Sequence, residues 1–399
     1  MRRFFEKLIE GGFLISGSIT SLAILLIILF LFKEAGGLFD APVVEDGYVI
    51  AVNKDNPVKH LSAEKIMDIF DAEITNWNDV SEKETGINQD ILVFRFSDLT
   101  NYYTEEELGS EFQYVPEKIS ELVAKEPGII AFIPTQYVAK DFKGRVLADD
   151  KIAFGDFFAG TKWYPTSTPA PIFGLVPLLL GTLLVSFGAI LLSLPFGIAV
   201  AIYLAEIADK RTRDFLKPVI ELLAGIPSVV FGFFGLVVIV PLIQKGLNLP
   251  VGETAFAGSV VLAIMALPTI ITVAEDSMRT TPSAMKEASL ALGATKWQTI
   301  YKVIIPYSIS GITSAIVLGI GRAIGETMAV LMVTGNAAVI PTSFFEPVRT
   351  IPATIAAELG EAPAGGAHYE ALFLLGAVLF VITLLLSFTV EYISAKRKM

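Results

Sequence analysis

Six long apolar runs alternate with polar segments along this chain of 399 residues. A helix of about 20 apolar residues is long enough to cross ~30 Å of hydrocarbon. The runs therefore predict six membrane-spanning helices, at residues 13–32, 172–204, 218–243, 255–274, 308–334 and 371–390. The first run follows Arg2, Arg3 and Lys7, as the core of a secretory signal would, but it is longer than such a core. We interpret it as a membrane anchor.

A long polar segment separates the first two apolar runs. Within it, GYVIAV, ILVFRF and GIIAFI have the composition of strands, whereas SAEKIMDIF and PEKISELVAK have helical spacing, the first after the N-cap Ser62. We predict one α/β domain inserted between the first and second membrane helices of an otherwise all-α membrane protein. The predicted domains are residues 1–39, 40–165 and 166–399.

The negative charge of the chain belongs to this insert. Residues 33–171 hold 25 of the 41 acidic residues but only 13 of the 30 basic ones, within a formal net charge of −11. Such a surface argues against nucleic acid as a partner, because nucleic acid requires a basic face. The chain has no cysteine, and His60 and His368 lack ligand spacing, so we expect no metal site.

Basic residues outside the insert indicate the orientation in the membrane. Four clusters fall before the first run, between runs two and three, between runs four and five, and after the sixth, whereas the alternate short loops contain one base each (Lys245 and Arg349). Basic loops stay on the cytoplasmic side. We therefore predict an inner-membrane, multi-pass protein with both termini in the cytoplasm and residues 40–165 outside.

The fifth run carries an arginine and a glutamate four residues apart, Arg322 and Glu326, in GIGRAIGETMAVLMV. A charge at mid-bilayer depth costs at least ~2.5–3.5 kcal/mol, so such residues usually mark a path for a polar solute. The spacing predicts that both side chains share one helical face. The alternative is a buried structural ion pair that locks two helices together.

The loop before the fifth run, KEASLALGATKWQTIYKVIIP at 286–306, has two helical stretches that we expect to pivot near Gly293, with Pro306 at the start of span five. Such a loop can dock into a cytoplasmic partner, or it can lie on lipid headgroups as an amphipathic helix. The order Glu287-Ala288-Ser289, Gly293 and Pro306 resembles the EAA loop of permease subunits of ABC importers, with serine in place of the usual third alanine. The resemblance implies that Glu287, Ala288, Gly293 and Pro306 couple the chain to an ATPase.

Three further segments, residues 163–206, 223–236 and 321–336, resemble the C-type permease of the phosphate-specific transport system. The resemblance covers most of 163–399 and implies an ABC importer permease fold that works by alternating access, with Arg322 and Glu326 in phosphate translocation. It also implies an ATP-binding subunit, a second, related permease and an external phosphate-binding protein as partners, beside membrane lipid.

The sequence contains no Walker A pattern, G-x-x-x-x-G-K-[ST]. We therefore expect that this chain is not an enzyme and binds no cofactor itself, and that ATP and magnesium belong to the partner ATPase. Two alternatives remain open: a permease for another oxyanion such as sulfate or molybdate, and a membrane-anchored sensor that uses the external insert.

The insert itself resembles part of a periplasmic phosphate-binding protein, at residues 52–80 and 122–138. Between these segments, where a binding protein has its Ser-Gly-Thr phosphate loop, this chain has Asp98 in place of the glycine, followed by Glu105, Glu106 and Glu107. We interpret the insert as a single lobe that has lost ligand binding and that docks the binding protein or shapes the outer vestibule. The alternatives are a fused receptor that completes its site with a partner's lobe, and an ordinary soluble domain.

Overall fold

The computed structural model describes residues 2–80, 89–109, 111–147 and 151–396, and the chain forms two compact units. The first unit comprises Met1–Leu175 with Pro363–Ala371, and the second comprises Val176–Ala362 with Leu372–Met399.

The first unit contains one long N-terminal helix followed by a small α/β domain. The elements are α1 (Arg2–Gly37), β1 (Tyr48–Val52), α2 (Ala63–Phe70), β2 (Leu92–Arg95), α3 (Leu99–Tyr102), α4 (Glu105–Leu108), α5 (Val115–Lys125), β3 (Ile129–Pro134), β4 (Arg145–Val146), α6 (Phe154–Phe158), β5 (Trp163–Tyr164) and β6 (Ile172–Phe173).

A four-stranded sheet in the order β2-β3-β1-β4 forms the centre of the α/β domain. β3 pairs in parallel with β2 and antiparallel with β1, and all six residues of β3 are buried. Trp77 is fully buried, and its indole Nε1 donates a hydrogen bond to the carbonyl of Gly128 at 2.9 Å. The three predicted strands and two predicted helices of the insert are all confirmed.

The second unit is helical. Its elements are α7 (Val176–Ile202), α8 (Lys210–Ala224), α9 (Ser228–Phe234), α10 (Val240–Leu247), α11 (Ala255–Arg279), α12 (Ser283–Ala291), α13 (Lys296–Thr299), α14 (Ile305–Gly325), α15 (Met328–Val333), α16 (Ile351–Glu358) and α17 (Ala367–Lys396), the last of which begins in the first unit, together with π-helical turns at Tyr203–Ile207, Gly235–Ile239 and Ile300–Ile304.

Six helices of the described residues are long and apolar enough to cross a membrane, which agrees with the predicted number. Spans one to six are Gly11–Asp40, Val176–Ile207, Ser228–Leu247, Ala255–Arg279, Lys296–Gly325 and Ala367–Thr389. The limits of several spans were wrong. Spans one and four extend to Asp40 and Arg279, beyond the predicted residues 32 and 274, and span five begins at Lys296 and not at residue 308. Span three begins at Ser228 and not at residue 218, because Gly225 and Pro227 end α8 before the span starts. Span five ends at Gly325, nine residues before the predicted limit.

Small residues allow spans two, four and five to pack closely. A side chain at Gly197 of span two or at Gly319 of span five would collide with Ile270 of span four. Span four is the most buried of the six. It therefore forms the centre of the second unit, and the depth of other residues can be judged against it.

Candidate functional site

The helix of span five is broken beside the two predicted site residues. α14 ends at Gly325, and Glu326 has the extended backbone angles φ −72° and ψ 130°. The chain becomes helical again only at Met328, where α15 begins. The prediction that Arg322 and Glu326 share one helical face is therefore wrong, because Glu326 lies outside the helix. A four-residue spacing places side chains together only while the helix continues.

Contacts with span four place this break near the middle of the unit. On one side of the break, Gly319 contacts Ile270, and on the other side Thr334 contacts Gly258. The break at 325–327 lies between these levels, opposite the centre of α11. Since α11 has 25 residues, it is about 37 Å long, so its centre corresponds to the middle of a bilayer.

Arg322 contacts span four at this level. Its Nη1 donates a hydrogen bond to Oγ1 of Thr269 at 3.3 Å, and the side chain is half-buried. Among the described residues, neither Arg322 nor Glu326 forms an ion pair. The structural ion pair considered as an alternative is thus not formed in this conformation. Arg322 also lies in the last turn of α14, where a positive charge interacts favourably with the helix dipole.

The break leaves backbone groups that need partners. The final carbonyls of a helix have no intrahelical donor, and only that of Gly325 receives a described side-chain bond, from Oγ1 of Thr327 at 3.3 Å. An open pocket of about 540 Å³ lies beside Gly325 and Thr327, with Pro352, Ile355 and Leu359 among its other lining residues. Irregular backbone at membrane depth is tolerated where it lines a water-filled cavity or is buried in protein. Neither Arg322 nor Glu326 lines this pocket. Both are half-buried beside the break, so a polar solute that reaches the break could contact their side chains.

The loop at 286–306 has the predicted shape of two helices that pivot at a glycine. α12 ends at Ala291, and Gly293 has φ +86°, a left-handed conformation that glycine adopts without steric cost. Thr295 then begins α13 with a capping box to Gln298. No residue of α12 is buried, Glu287 and Ala288 are exposed, and Leu292 is 90% exposed. The loop thus presents an apolar corner to its surroundings.

Pro306 lies in the first two positions of α14, as predicted, although the helical run of span five begins earlier, at Lys296. The helix continues through it from Lys296 to Gly325. Proline removes one backbone donor and clashes with the carbonyl four residues earlier. The π-helical turn at Ile300–Ile304 immediately precedes it, and such a turn provides the wider winding that accommodates the proline.

Two groups of charged side chains near this loop were missed by the sequence analysis. Lys286 of α12 pairs with Glu206 at the end of span two, with Nζ and Oε1 2.6 Å apart. Lys217 of α8 pairs with Glu275 at 2.6 Å and with Asp276 at 2.7 Å, and the Glu275 side chain is only 1% exposed. Burial disfavours the charged amine, but the hydrogen bonds to Asp276 and Glu275 outweigh it and raise the pKa of Lys217. No local sequence signal joins partners 58 or more residues apart.

In the insert, carboxylates of the segment at 95–107 accept hydrogen bonds from donors of the same segment. Asp98 accepts a hydrogen bond from the backbone N–H of Arg95 at 3.2 Å and another from the hydroxyl of Ser97 at 3.3 Å. In the next turn, Glu107 accepts from the backbone N–H of Thr104 at 2.9 Å, and this bond lowers the pKa of Glu107. The two carboxylates thus use N–H and hydroxyl donors that could otherwise bind an anion.

Comparison with known proteins agrees with a permease architecture. Residues 193–399 match the family described as "Binding-protein-dependent transport system inner membrane component", and residues 30–178 match the "PBP superfamily domain". The first match covers more than half of the chain.

Curated relatives each align with more than half of the chain. A "Probable ABC transporter permease protein YqgH" of Bacillus subtilis is 41% identical over 243 residues, which cover 61% of this chain and 78% of that protein. A "Phosphate transport system permease protein PstC" of Mesorhizobium japonicum is 39% identical, with 59% and 77% covered, and its namesake from Pasteurella multocida is 37% identical, with 58% and 78% covered. With its six spans and its broken fifth helix, the chain belongs to the family of binding-protein-dependent transport system inner membrane components.

Proposed function

We propose that this chain is a transmembrane permease subunit of an ATP-driven phosphate importer and forms half of the translocation pathway. The observation that carries the proposal is the break in span five, which brings Arg322, Glu326 and the end of helix α14 to mid-membrane depth. The relatives named as phosphate transport permeases support phosphate as the substrate.

The chemistry of the break suits phosphate. Arginine carries five donors in a planar fork that fits a tetrahedral oxyanion and keeps its charge when buried. Only one described hydrogen bond, to Thr269, engages that fork, so donors remain for a bidentate contact. Glu326 can accept a hydrogen bond from a protonated phosphate oxygen, or it can hold Arg322 while the path is empty. Alternating access would then open and close this site to the two sides.

The loop at 286–306 is the proposed docking site for the ATPase. Its apolar corner at Leu292 and its exposed Glu287 and Ala288 are available to a partner, and Gly293 sets the turn between its two helices. ATP and magnesium would be bound by that partner. A second, related permease would complete the pathway, and an external binding protein would deliver the substrate. In this arrangement both termini are cytoplasmic and the insert is external.

We propose further that the insert has lost phosphate binding and serves as a docking or vestibule domain. The carboxylate of Asp98 accepts hydrogen bonds from the Arg95 backbone N–H and the Ser97 hydroxyl. This supports the proposal, because a fixed carboxylate takes the place of a bound anion at these donors and repels a second one. Equilibrium binding of radiolabelled phosphate to the full chain carrying Arg322→Gln tests it. We expect no saturable binding. Saturable binding that is lost when Ser97→Ala is added would instead support the fused-receptor alternative.

The test of the proposed function is uptake of radiolabelled phosphate into proteoliposomes that hold the assembled complex. We expect uptake that depends on ATP and on the binding protein and that excess sulfate or molybdate competes poorly. Uptake of sulfate or molybdate in preference to phosphate would redirect the assignment to another oxyanion. An intact complex that hydrolyses ATP without transporting any of the three would contradict the proposal.

A further inference from the structure

In the loop at 286–306, here called the coupling loop, helix α12 makes two polar contacts, one to the end of span two and one to the start of span five. Lys286 of α12 contacts Glu206 at the end of span two, with Nζ and Oε1 2.6 Å apart and side-chain exposures of 25% and 12%. Ser289 of α12 shares a hydrogen bond with Thr299 at the start of span five, with their hydroxyl oxygens 3.0 Å apart. Since α12 buries no residue of its own, these contacts set its position.

Both contacts lie at π-helical turns. Glu206 belongs to the turn Tyr203–Ile207, and Thr299 directly precedes the turn Ile300–Ile304. A π turn contains one residue more than an α turn and is frequent at functional sites. The loop is therefore attached where spans two and five are least regular.

Packed side chains lead from Glu206 to the substrate site. Gly197 of span two packs against Ile270 of span four, and Gly319 of span five packs against the same isoleucine. The next residue, Thr269, accepts the hydrogen bond from Arg322. Nearer to Glu206, Ala201 and Ala205 of span two pack in a buried cluster with Ala274 of span four. Close contacts therefore connect this end of span two to span four, whose Thr269 positions Arg322.

We propose that Lys286 and Glu206 form a positioning pair that transmits displacement of the coupling loop to span two, and through Ile270 to the site at Arg322. The assignment rests on the proposed function. A partly buried, charge-assisted hydrogen bond of 2.6 Å is short and strong, so α12 and the end of span two move together while it is intact. When it is broken, the ATPase still docks and hydrolyses ATP, but its movement no longer reaches the path.

The experiment uses the full complex in proteoliposomes and measures ATP hydrolysis and phosphate uptake in parallel. For Glu206→Gln, which lies outside the docking loop, we expect hydrolysis within twofold of wild type and a rise of at least fivefold in ATP consumed per phosphate transported. For Lys286→Met we expect the same rise in that ratio. Lys286→Arg keeps the charge and should retain the wild-type ratio. The exchanged double variant, Glu206→Lys with Lys286→Glu, should consume ATP per phosphate transported within twofold of the wild-type ratio.

A matched control removes a charge on the same side of the unit. Arg213 lies 3.9 Å from its exposed neighbour Asp214, and Arg213→Gln should leave the ratio unchanged. A wild-type ratio in both single variants would overturn the proposal. So would a parallel loss of hydrolysis and uptake at constant ratio, which is the result of a merely structural role, or a failure of the exchanged variant to recover. Absence of ATP-driven uptake by the wild-type complex would refute the proposed function, and the assignment of the pair with it.

Discussion

The close approach of spans four and five at Gly311 allows a quantitative test of the fold. A Cβ at this position would lie 2.0 Å from Oγ and 2.4 Å from Cβ of Ser277. Ser277 also exchanges hydrogen bonds with Ser308 of span five, at 3.2 and 3.1 Å. In Gly311→Ala the two helices must separate by about 1 Å to restore ordinary contact distances, and both bonds lengthen beyond a useful range.

The expected destabilisation combines opposing effects. Overpacking costs about 1–3 kcal/mol and each lost hydrogen bond about 1 kcal/mol, whereas replacing glycine by alanine within a helix gains about 1 kcal/mol. A net loss of about 2–4 kcal/mol should lower the thermal midpoint of the detergent-solubilised complex by roughly 4–16 °C. The assay is thermal unfolding at one fixed scan rate.

Two further variants keep this reasoning falsifiable. Gly321 lies on the same helix, but nothing within 4 Å would meet its Cβ, so Gly321→Ala should leave the midpoint unchanged or raise it slightly. Adding Ser277→Gly to Gly311→Ala removes both clashing atoms and leaves only the Cα of residue 277, at 3.7 Å. The double variant should therefore recover at least half of the lost stability. A midpoint for Gly311→Ala at or above that of wild type would refute the packing of these spans.

Three other predictions concern the polar contacts and the exposed corner of the coupling loop. Glu275→Gln removes one partner of the buried pair with Lys217 and should lower the free energy of unfolding by about 3 kcal/mol. The measurement is a fall in the thermal midpoint. A midpoint within 2 °C of wild type would contradict the buried pair. Leu292→Asp should reduce the amount of ATPase that co-purifies with this chain at least tenfold. It should not change the thermal midpoint, because the Leu292 side chain is 90% exposed. An unchanged amount of co-purified ATPase would exclude Leu292 from the docking site. A hydrogen bond from the backbone N–H of Thr342 lowers the pKa of Glu346 below its ordinary 4.5. The Thr342 amide should therefore stay protected from hydrogen exchange above pH 4.5 and lose its protection as the pH falls through the lowered pKa of Glu346. Protection of this amide that does not change with pH, after correction for the intrinsic exchange rate, would contradict the contact.

The sequence predicted those features that depend on local composition. About 20 apolar residues in a row favour a spanning helix whatever its neighbours are, so the number of spans was predicted correctly. The left-handed Gly293 and the N-cap Ser62 were likewise predictable, because each follows from the backbone preference of one residue type.

The break in span five depends on tertiary contacts and was missed. The sequence remains apolar through Met328–Val333, so hydrophobicity alone extends the span to residue 334. One local signal was available: Arg322 and Gly325 lie at the end of α14, where a base and a glycine commonly end a helix. The packing of α15 against α9 and α11 makes a separate short helix favourable at this depth.

The charged pairs could not be predicted from the sequence at all. Lys286 and Glu206 are 80 residues apart, and Lys217 and Glu275 are 58 residues apart. In the sequence the two lysines contribute only to basic loops that indicate orientation. Their partners become evident only when spans two and four end at the same level, because a specific pairing depends on the folded geometry.

The central claim is that the broken fifth span with Arg322 forms the substrate path. The most direct measurement is phosphate uptake by the reconstituted complex with Arg322→Gln, beside Arg322→Lys and the exposed control Lys245→Gln. Loss of two charge-assisted hydrogen bonds, at about 1.5–3 kcal/mol each, corresponds to a decrease of about 100-fold or more. We expect that loss for Arg322→Gln, a smaller loss for Arg322→Lys, which keeps the charge but not the fork, and none for Lys245→Gln. Wild-type uptake by an assembled Arg322→Gln complex would contradict the claim and leave Arg322 with only a structural role at the end of its helix.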